Sequence, residues 1–276
     1  MRIAIAANRV SGGGLDPEPF AAAMRGAEVR VFEGLDGVAE WGPDRLAVAG
    51  GDGTVAPAAA LAGRLGVPLA VIPAGTANDF ARAHRLPGDP LVAARLAVTA
   101  TATHALELGR LASGRPFVNV ASAGLASVAA RAAQPLKHRL GPLAYAVGAA
   151  RAAAGARPLD ASVRVDGHEA FAGPAWQVIV AVSGAFGAGS GVAEADPRDG
   201  ILDVIVLPAG SRAGLARRAW GLRTQRIARQ RGVEHVRGRV VEVGGAPEVN
   251  ADGEVLPGGL ERVTVKAQAF RLLVPA

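Results

Sequence analysis

The chain has no cysteine. That excludes a disulfide framework and any thiolate metal site, and it suits a reducing compartment. Aromatic residues make up only 4% of the sequence, so alanine, valine and leucine must fill most of the core. Lysine is almost missing: Lys137 and Lys266 are the only two, and arginine carries nearly all of the net charge of +6. A basic surface of this kind favours anionic partners such as nucleotides, phosphates, nucleic acid or acidic lipid head groups. No apolar run approaches the ~18 residues of a membrane-spanning helix. The opening "MRIAIAANRV" reads as a buried strand and lacks the longer apolar region and cleavage site of a signal peptide. These features lead us to expect a cytoplasmic protein.

What is present is enough for a sizeable core. Half of the 276 residues are hydrophobic, which fits one large domain or two ordinary ones. The first hundred residues alternate short apolar runs (2–7, 28–32, 45–49 and 68–72) with alanine-rich helical stretches such as 17–26 and 56–65. Buried runs alternating with helices predict an α/β domain with a parallel sheet and crossover helices. Near residue 104 the pattern changes. Short runs at 104–111, 115–121, 161–166, 176–183, 201–207, 239–243, 248–251 and 262–266 are separated by turn residues. They predict a second, mostly antiparallel β-sandwich domain with helices near 126–155 and 211–229. The expected domains are 1–104 and 105–267, and the final run "FRLLVPA" is free to pair in either.

Ligands of open parallel sheets sit beyond the carboxyl ends of the strands. Three loops of small residues fall there: "NRVSGGG" (8–14), "GGDGT" (50–54) and "PAGTAND" (73–79). Gly50, Gly51 and Gly53 permit positive φ and close approach of backbone to a ligand. Amides at a helix N-terminus attract phosphate. Neither the Walker A lysine nor the dinucleotide G-x-G-x-x-G spacing is present. Asp52 is the unusual member, because a bare carboxylate repels a polyphosphate. It becomes useful if it holds Mg²⁺ or accepts a bond from a hydroxyl; the plainer reading is an Asp-Gly turn. In the second loop, Gly75 and Thr76 make a tight exit, and Thr76 can donate to a phosphate oxygen. Asn78 and Asp79 are placed to cap the next helix.

Taken together, "GGDGT" and "PAGTANDFAR" make the chain resemble the catalytic domain of the diacylglycerol kinase family, which includes bacterial soluble lipid kinases. "FVNVASAG" (117–124), "KHRLGPLAY" (137–145), "DPRDGILDV" (196–204) and "ADGE" (251–254) follow in the family's order, so the resemblance spans nearly the whole chain. It implies an ATP-binding first domain, a lipid-binding second domain and an active site in the cleft between them. Asn8, Ser11 and Gly12 would line the nucleotide phosphates. Gly51, Asp52, Gly53 and Thr54 would form the central phosphate and Mg²⁺ loop. Thr76 would touch the nucleotide and Asp79 would support the metal network. A second, structural Mg²⁺ would be held by Asp196, Asp199 and the carbonyl of Ile201. Glu254 would be the general base that takes the proton of a lipid alcohol during phosphoryl transfer; read without the family, "NADGEV" is a hairpin with an exposed glutamate.

The chain also departs from the family pattern. Arg9 stands where the first loop usually has proline, and Ala56 and Pro57 stand where an Asn-Glu pair is common. Ala126 and Ser127 replace an acidic-small pair. These changes keep two alternatives open: a kinase of the same superfamily acting on a soluble alcohol or NAD, and a nucleotide- or lipid-binding protein without catalysis. Two basic segments, 131–151 and 212–231, suit peripheral contact with an anionic membrane. In the second, Leu215, Trp220, Leu222 and Ile227 stand among arginines, a pattern shared by an interfacial helix and by a solvated basic helix that packs its apolar stripe on the domain. No recognition motif points to nucleic acid, and a homodimer is left open.

Overall fold

The computed structural model describes residues 1–7, 15–125, 127–128, 155, 157–187 and 189–275. The chain divides into two compact units, 1–108 with 266–276, and 109–265.

The first unit contains β1 (Arg2–Ala7), α1 (Glu18–Ala23), β2 (Glu28–Glu33), α2 (Val38–Trp41), β3 (Arg45–Gly50), α3 (Asp52–Leu65), β4 (Pro68–Pro73), α4 (Asp79–Ala83) and α5 (Pro90–Thr99). The four strands are parallel in the order β4-β3-β1-β2. In β1, β3 and β4 every residue after the first is buried. Continuous burial of that kind means both faces of the sheet are covered, which is why these strands read as unbroken apolar runs. Ile3, Ile5, Ala49 and Ile72 pack with Phe20 and Met24, and with Ala94 and Ala97 of α5. Asp89 starts α5 by accepting from the amides of Leu91 and Val92. Gly50 is in register with Pro73, so the loops leaving β3 and β4 begin side by side.

The second unit contains the end of β5 (Thr103–Leu111), then β6 (Pro116–Phe117), β7 (Val120–Gly124), β8 (Leu159–Val165), β9 (His168–Ala181), β10 (Ala185–Phe186), β11 (Ser190–Gly191) and β12 (Leu202–Pro208). After these come α6 (Arg212–Arg223), β13 (Glu234–Gly238), β14 (Val240–Gly244), β15 (Glu248–Ala251), β16 (Glu254–Pro257) and the start of β17 (Val263–Leu273). Strands run antiparallel in the order β16-β15-β7-β9-β8-β14. β9 also pairs with β12, which pairs with β13. Alternate residues of β9 feed two clusters, as the two-residue period of a strand requires. Val178 and Val180 join Val163, Leu202 and Val241. Ile179 and Ala181 join Ile205, Leu207, Leu215 and Ile227.

The expected α/β and mostly antiparallel β architectures are both found. The final run returns to the first unit, where Arg271 and Leu272 pair in parallel with Pro68 and Leu69. Three readings need correction. α3 starts at Asp52 and not at 56, so Asp52, Gly53 and Thr54 form a first helical turn. The run 115–121 is two strands, because the amides of Val118, Asn119 and Val120 bond to the Asp252 carboxylate. β13, a short strand that is largely not buried, did not stand out from the sequence. The helix near 126–155 lies almost wholly outside the described residues.

Candidate active site

Two of the three small-residue loops are described, and they touch. Gly51 precedes α3 with extended backbone, φ −95° and ψ −176°. A β-carbon placed on Gly75 would lie 2.4 Å from the α-carbon of Gly51 and 3.1 Å from its nitrogen. Gly75 is therefore needed for close approach of one backbone to another, not for positive φ, while a β-carbon on Gly51 would lie 3.3 Å from the α-carbon of Gly75. Gly50 is also tight, but there a β-carbon would meet the Thr54 side chain, 2.5 Å from Oγ1. Thr54 Oγ1 donates to the Gly51 carbonyl at 2.7 Å, closing the first turn of α3 on itself. The turn leaves the early amides of a 14-residue helix at its positive end, beside the ends of β3 and β4.

Asp52 joins the two loops. Its carboxylate accepts from the amides of Asp79 at 3.0 Å and Phe80 at 2.8 Å, the first two residues of α4. The expected division of labour is thus altered. Asn78 does stand at the N-cap of α4, in the left-handed conformation at φ 50°. Its side chain, however, turns back to Gly75, accepting from the amide and donating to the carbonyl, both at 2.9 Å. Asp79 is almost buried and pairs with Arg82. Thr76 is exposed at the crest of the loop. Ala56 is buried on α3. Pro57 lies inside the same helix, where its ring cannot donate to the Gly53 carbonyl. Asn8, Ser11 and Gly12 lie outside the described residues.

This backbone contact yields the first expected result. Gly75→Ala should lower unfolding stability by about 3 kcal/mol, since backbone cannot rotate aside as a side chain can. Gly88→Ala, with open space around it, should change stability by less than about 0.5 kcal/mol. Urea denaturation of both variants checks the difference.

In the second unit, Asp252 and Gly253 form the two-residue turn between β15 and β16, with φ 47° and 86°. Positive φ at both positions is the hairpin turn that Asp-Gly favours. Asp252 holds the amides of Val118, Asn119 and Val120 at 2.8–3.1 Å. Glu254 follows as the first residue of β16, half-exposed, and its carboxylate pairs with Arg115. Neither Arg115 nor the work of Asp252 was visible in the sequence. The recurrence of the Asp-Gly pair was the available signal. Asp52, Asp166, Asp199 and Asp252 all use a carboxylate to bind amides of a nearby backbone segment.

The turn expected to hold a structural cation is arranged differently. Asp196 accepts from the amide and Nε of Arg198, at 3.2 and 3.1 Å. Asp199 accepts from the Ile201 amide at 2.9 Å and pairs with Arg237. Arg237 also reaches the buried Asp203 at 3.2 Å, and His235 lies 2.7 Å from the same oxygen. The hydrogen bond to Asp199, with Asp203 next in weight, raises the Arg237 pKa above its ordinary value. Guanidinium groups thus stand against both carboxylates. Among the described residues no group of three or more His, Asp or Glu is gathered to hold a metal. The carboxylates of Asp196 and Asp199 form ion pairs here, with Arg198 and Arg237.

The first unit thus brings two glycine loops together at the end of a parallel sheet, and the second unit is an antiparallel β structure. Comparison with known proteins narrows the reading. The model described as the YegS C-terminal NAD kinase beta sandwich-like domain matches residues 119–274, and the diacylglycerol kinase catalytic domain model matches 26–111. A Pseudomonas aeruginosa protein named "Probable lipid kinase YegS-like" is 35% identical, over 84% of this chain and 76% of that one. A diacylglycerol kinase of Bacillus subtilis is 31% identical over 78% of this chain and 73% of its own. The crystal structure of a diacylglycerol kinase from Bacillus anthracis str. Sterne shares the fold, with a TM-score of 0.75 and 21% identity over 99% of this chain and 97% of that one. The chain belongs to the diacylglycerol kinase and YegS-like lipid kinase family.

Proposed function

We propose that the protein is an ATP-dependent lipid kinase that phosphorylates the hydroxyl of diacylglycerol or a related lipid alcohol. The observation that carries this is the junction of the β3 and β4 loops, where backbones meet at Gly51 and Gly75 and Asp52 ties them together. A rigid rim of glycine and small residues at a helix N-terminus suits a polyphosphate. In this reading Gly50, Gly51, Gly53, Thr54, Gly75 and Thr76 face the phosphates. The nucleotide arrives as its magnesium complex, so the metal is part of the substrate. Asn78 and Asp79 hold the second loop in shape, and Asp52 is a positioning residue.

Glu254 takes the acceptor's proton. The alcohol oxygen forms a bond to the γ-phosphorus, the bond to the β–γ bridging oxygen breaks, ADP leaves, and the hydroxyl proton moves to a Glu254 oxygen. Arg115 must then share or release that carboxylate as the hydroxyl arrives. No helix among the described residues is long and apolar enough to cross a membrane, so lipid would be reached from a membrane surface.

The test is γ-labelled ATP offered with diacylglycerol, monoacylglycerol, ceramide, sphingosine and NAD in neutral detergent micelles. Label should enter a phosphatidic-acid-like product. Label in NAD alone, or in nothing, would overturn the proposal.

A further inference from the structure

Helix α6 faces two ways. Leu215 is buried, Leu222 packs beside it, and Ile227 in the turn that follows is fully buried; all three sit on the core cluster around Ile179 and Ile205. Of the four apolar residues that stand among the arginines of this segment, three are therefore committed to the fold. Trp220 is the exception, with 69% of its surface exposed. The buried Trp176 shows that the fold does take in an indole elsewhere.

The surroundings of Trp220 are basic. Arg217 and Arg223 lie three residues to either side, on the same helical face, and both are exposed, as is Arg226 just beyond. No acidic residue occurs between Asp203 and Glu234. Arg218 turns away from this face, donating to the carbonyls of Arg231 at 3.1 Å and Gly232 at 2.7 Å. Burial, and then the neighbouring Arg217 guanidinium, lowers its pKa. Arg229 pairs with Glu194. The exposed set is thus one indole within a cationic field.

We propose that the outer face of α6, with Trp220 at its centre and Arg217, Arg223 and Arg226 around it, docks the protein on anionic lipid membranes. An indole has an apolar body and a polar N–H, which suits the headgroup level of a bilayer. Arginines beside it add attraction to an anionic leaflet that falls off within a Debye length. Nucleic acid would use the same charges, but it needs several stacking or base-reading groups, and this face offers a single aromatic ring. The choice of a membrane rests on the lipid-kinase reading above.

The experiment uses the full chain and sedimentation with vesicles of phosphatidylcholine alone or mixed with phosphatidylglycerol. The wild-type protein should partition into the mixed vesicles at least about tenfold more strongly, with a blue shift of tryptophan emission. Each of Arg217→Gln, Arg223→Gln and Arg226→Gln should weaken that partitioning about fivefold, and Trp220→Ala should abolish the blue shift. Activity in neutral detergent micelles should stay at the wild-type level in all four variants. Equal binding to both vesicle types would overturn the proposal, as would variants that bind like wild type. Arginine-dependent binding to an oligonucleotide without binding to vesicles would also overturn it. If vesicle binding follows the expected pattern while no lipid is phosphorylated in micelles, the kinase reading fails and the docking surface stands.

Discussion

Asp52→Ala is expected to lose at least about 100-fold in kcat/KM and about 3 kcal/mol of stability. The two effects have one cause. The Asp52 carboxylate accepts from the amides of Asp79 and Phe80, and hydrogen bonds to a charged group contribute about 1.5–3 kcal/mol each. Without them the start of α4 and the loop before it are released from the β3 loop. The phosphate rim then loses its preorganisation, and small displacements of such groups cost large factors in rate. Asp52→Asn should fall nearly as far. Its amide keeps one acceptor oxygen but points a donor at the other backbone N–H. Hydrogen exchange at the Phe80 amide is the discriminating readout, and it should accelerate in both variants. Loss of activity with stability and Phe80 protection unchanged would mean that Asp52 acts on the nucleotide's metal and not on the loop.

Glu254→Gln is expected to lower kcat by a factor of about 10² to 10⁴, the usual contribution of a general base, while the affinity for ATP stays near the wild-type value. Folding should be little affected. The pair with Arg115 is at the surface, with Glu254 half-exposed, and such pairs contribute at most about 1 kcal/mol. This separates Glu254 from Asp52, whose replacement should impair folding and turnover together. A Glu254→Gln enzyme with full kcat would remove Glu254 from the reaction.

Three of the four parallel strands of the first unit, β1, β3 and β4, were legible because they are buried on both faces, so "RIAIAA", "RLAVA" and "PLAVI" stand out as apolar runs. The meeting of the loops after β3 and β4 was legible because both follow strands of one parallel sheet. What a carboxylate touches was not legible. Asp52 bonds to amides 27 and 28 residues away, and Glu254 meets Arg115 across 139 residues. Nothing local marks such partners. The start of α3 was hidden by the same dipeptide, since Asp-Gly reads as a turn and here opens a helix. Composition did not separate Trp220 from Leu215, Leu222 and Ile227. Those three side chains pack on the strands, whereas Trp220 projects between Arg217 and Arg223. That Arg237 pairs with Asp199 in the acidic turn was not legible either.

The most direct measurement is calorimetric titration of magnesium–ATP into the wild-type protein and into Gly75→Ala. If the junction of the β3 and β4 loops is the triphosphate seat, the wild type should bind one equivalent and the variant should bind at least about tenfold more weakly. Absence of heat with the folded wild type, or an unchanged affinity in a folded Gly75→Ala, would contradict the assignment.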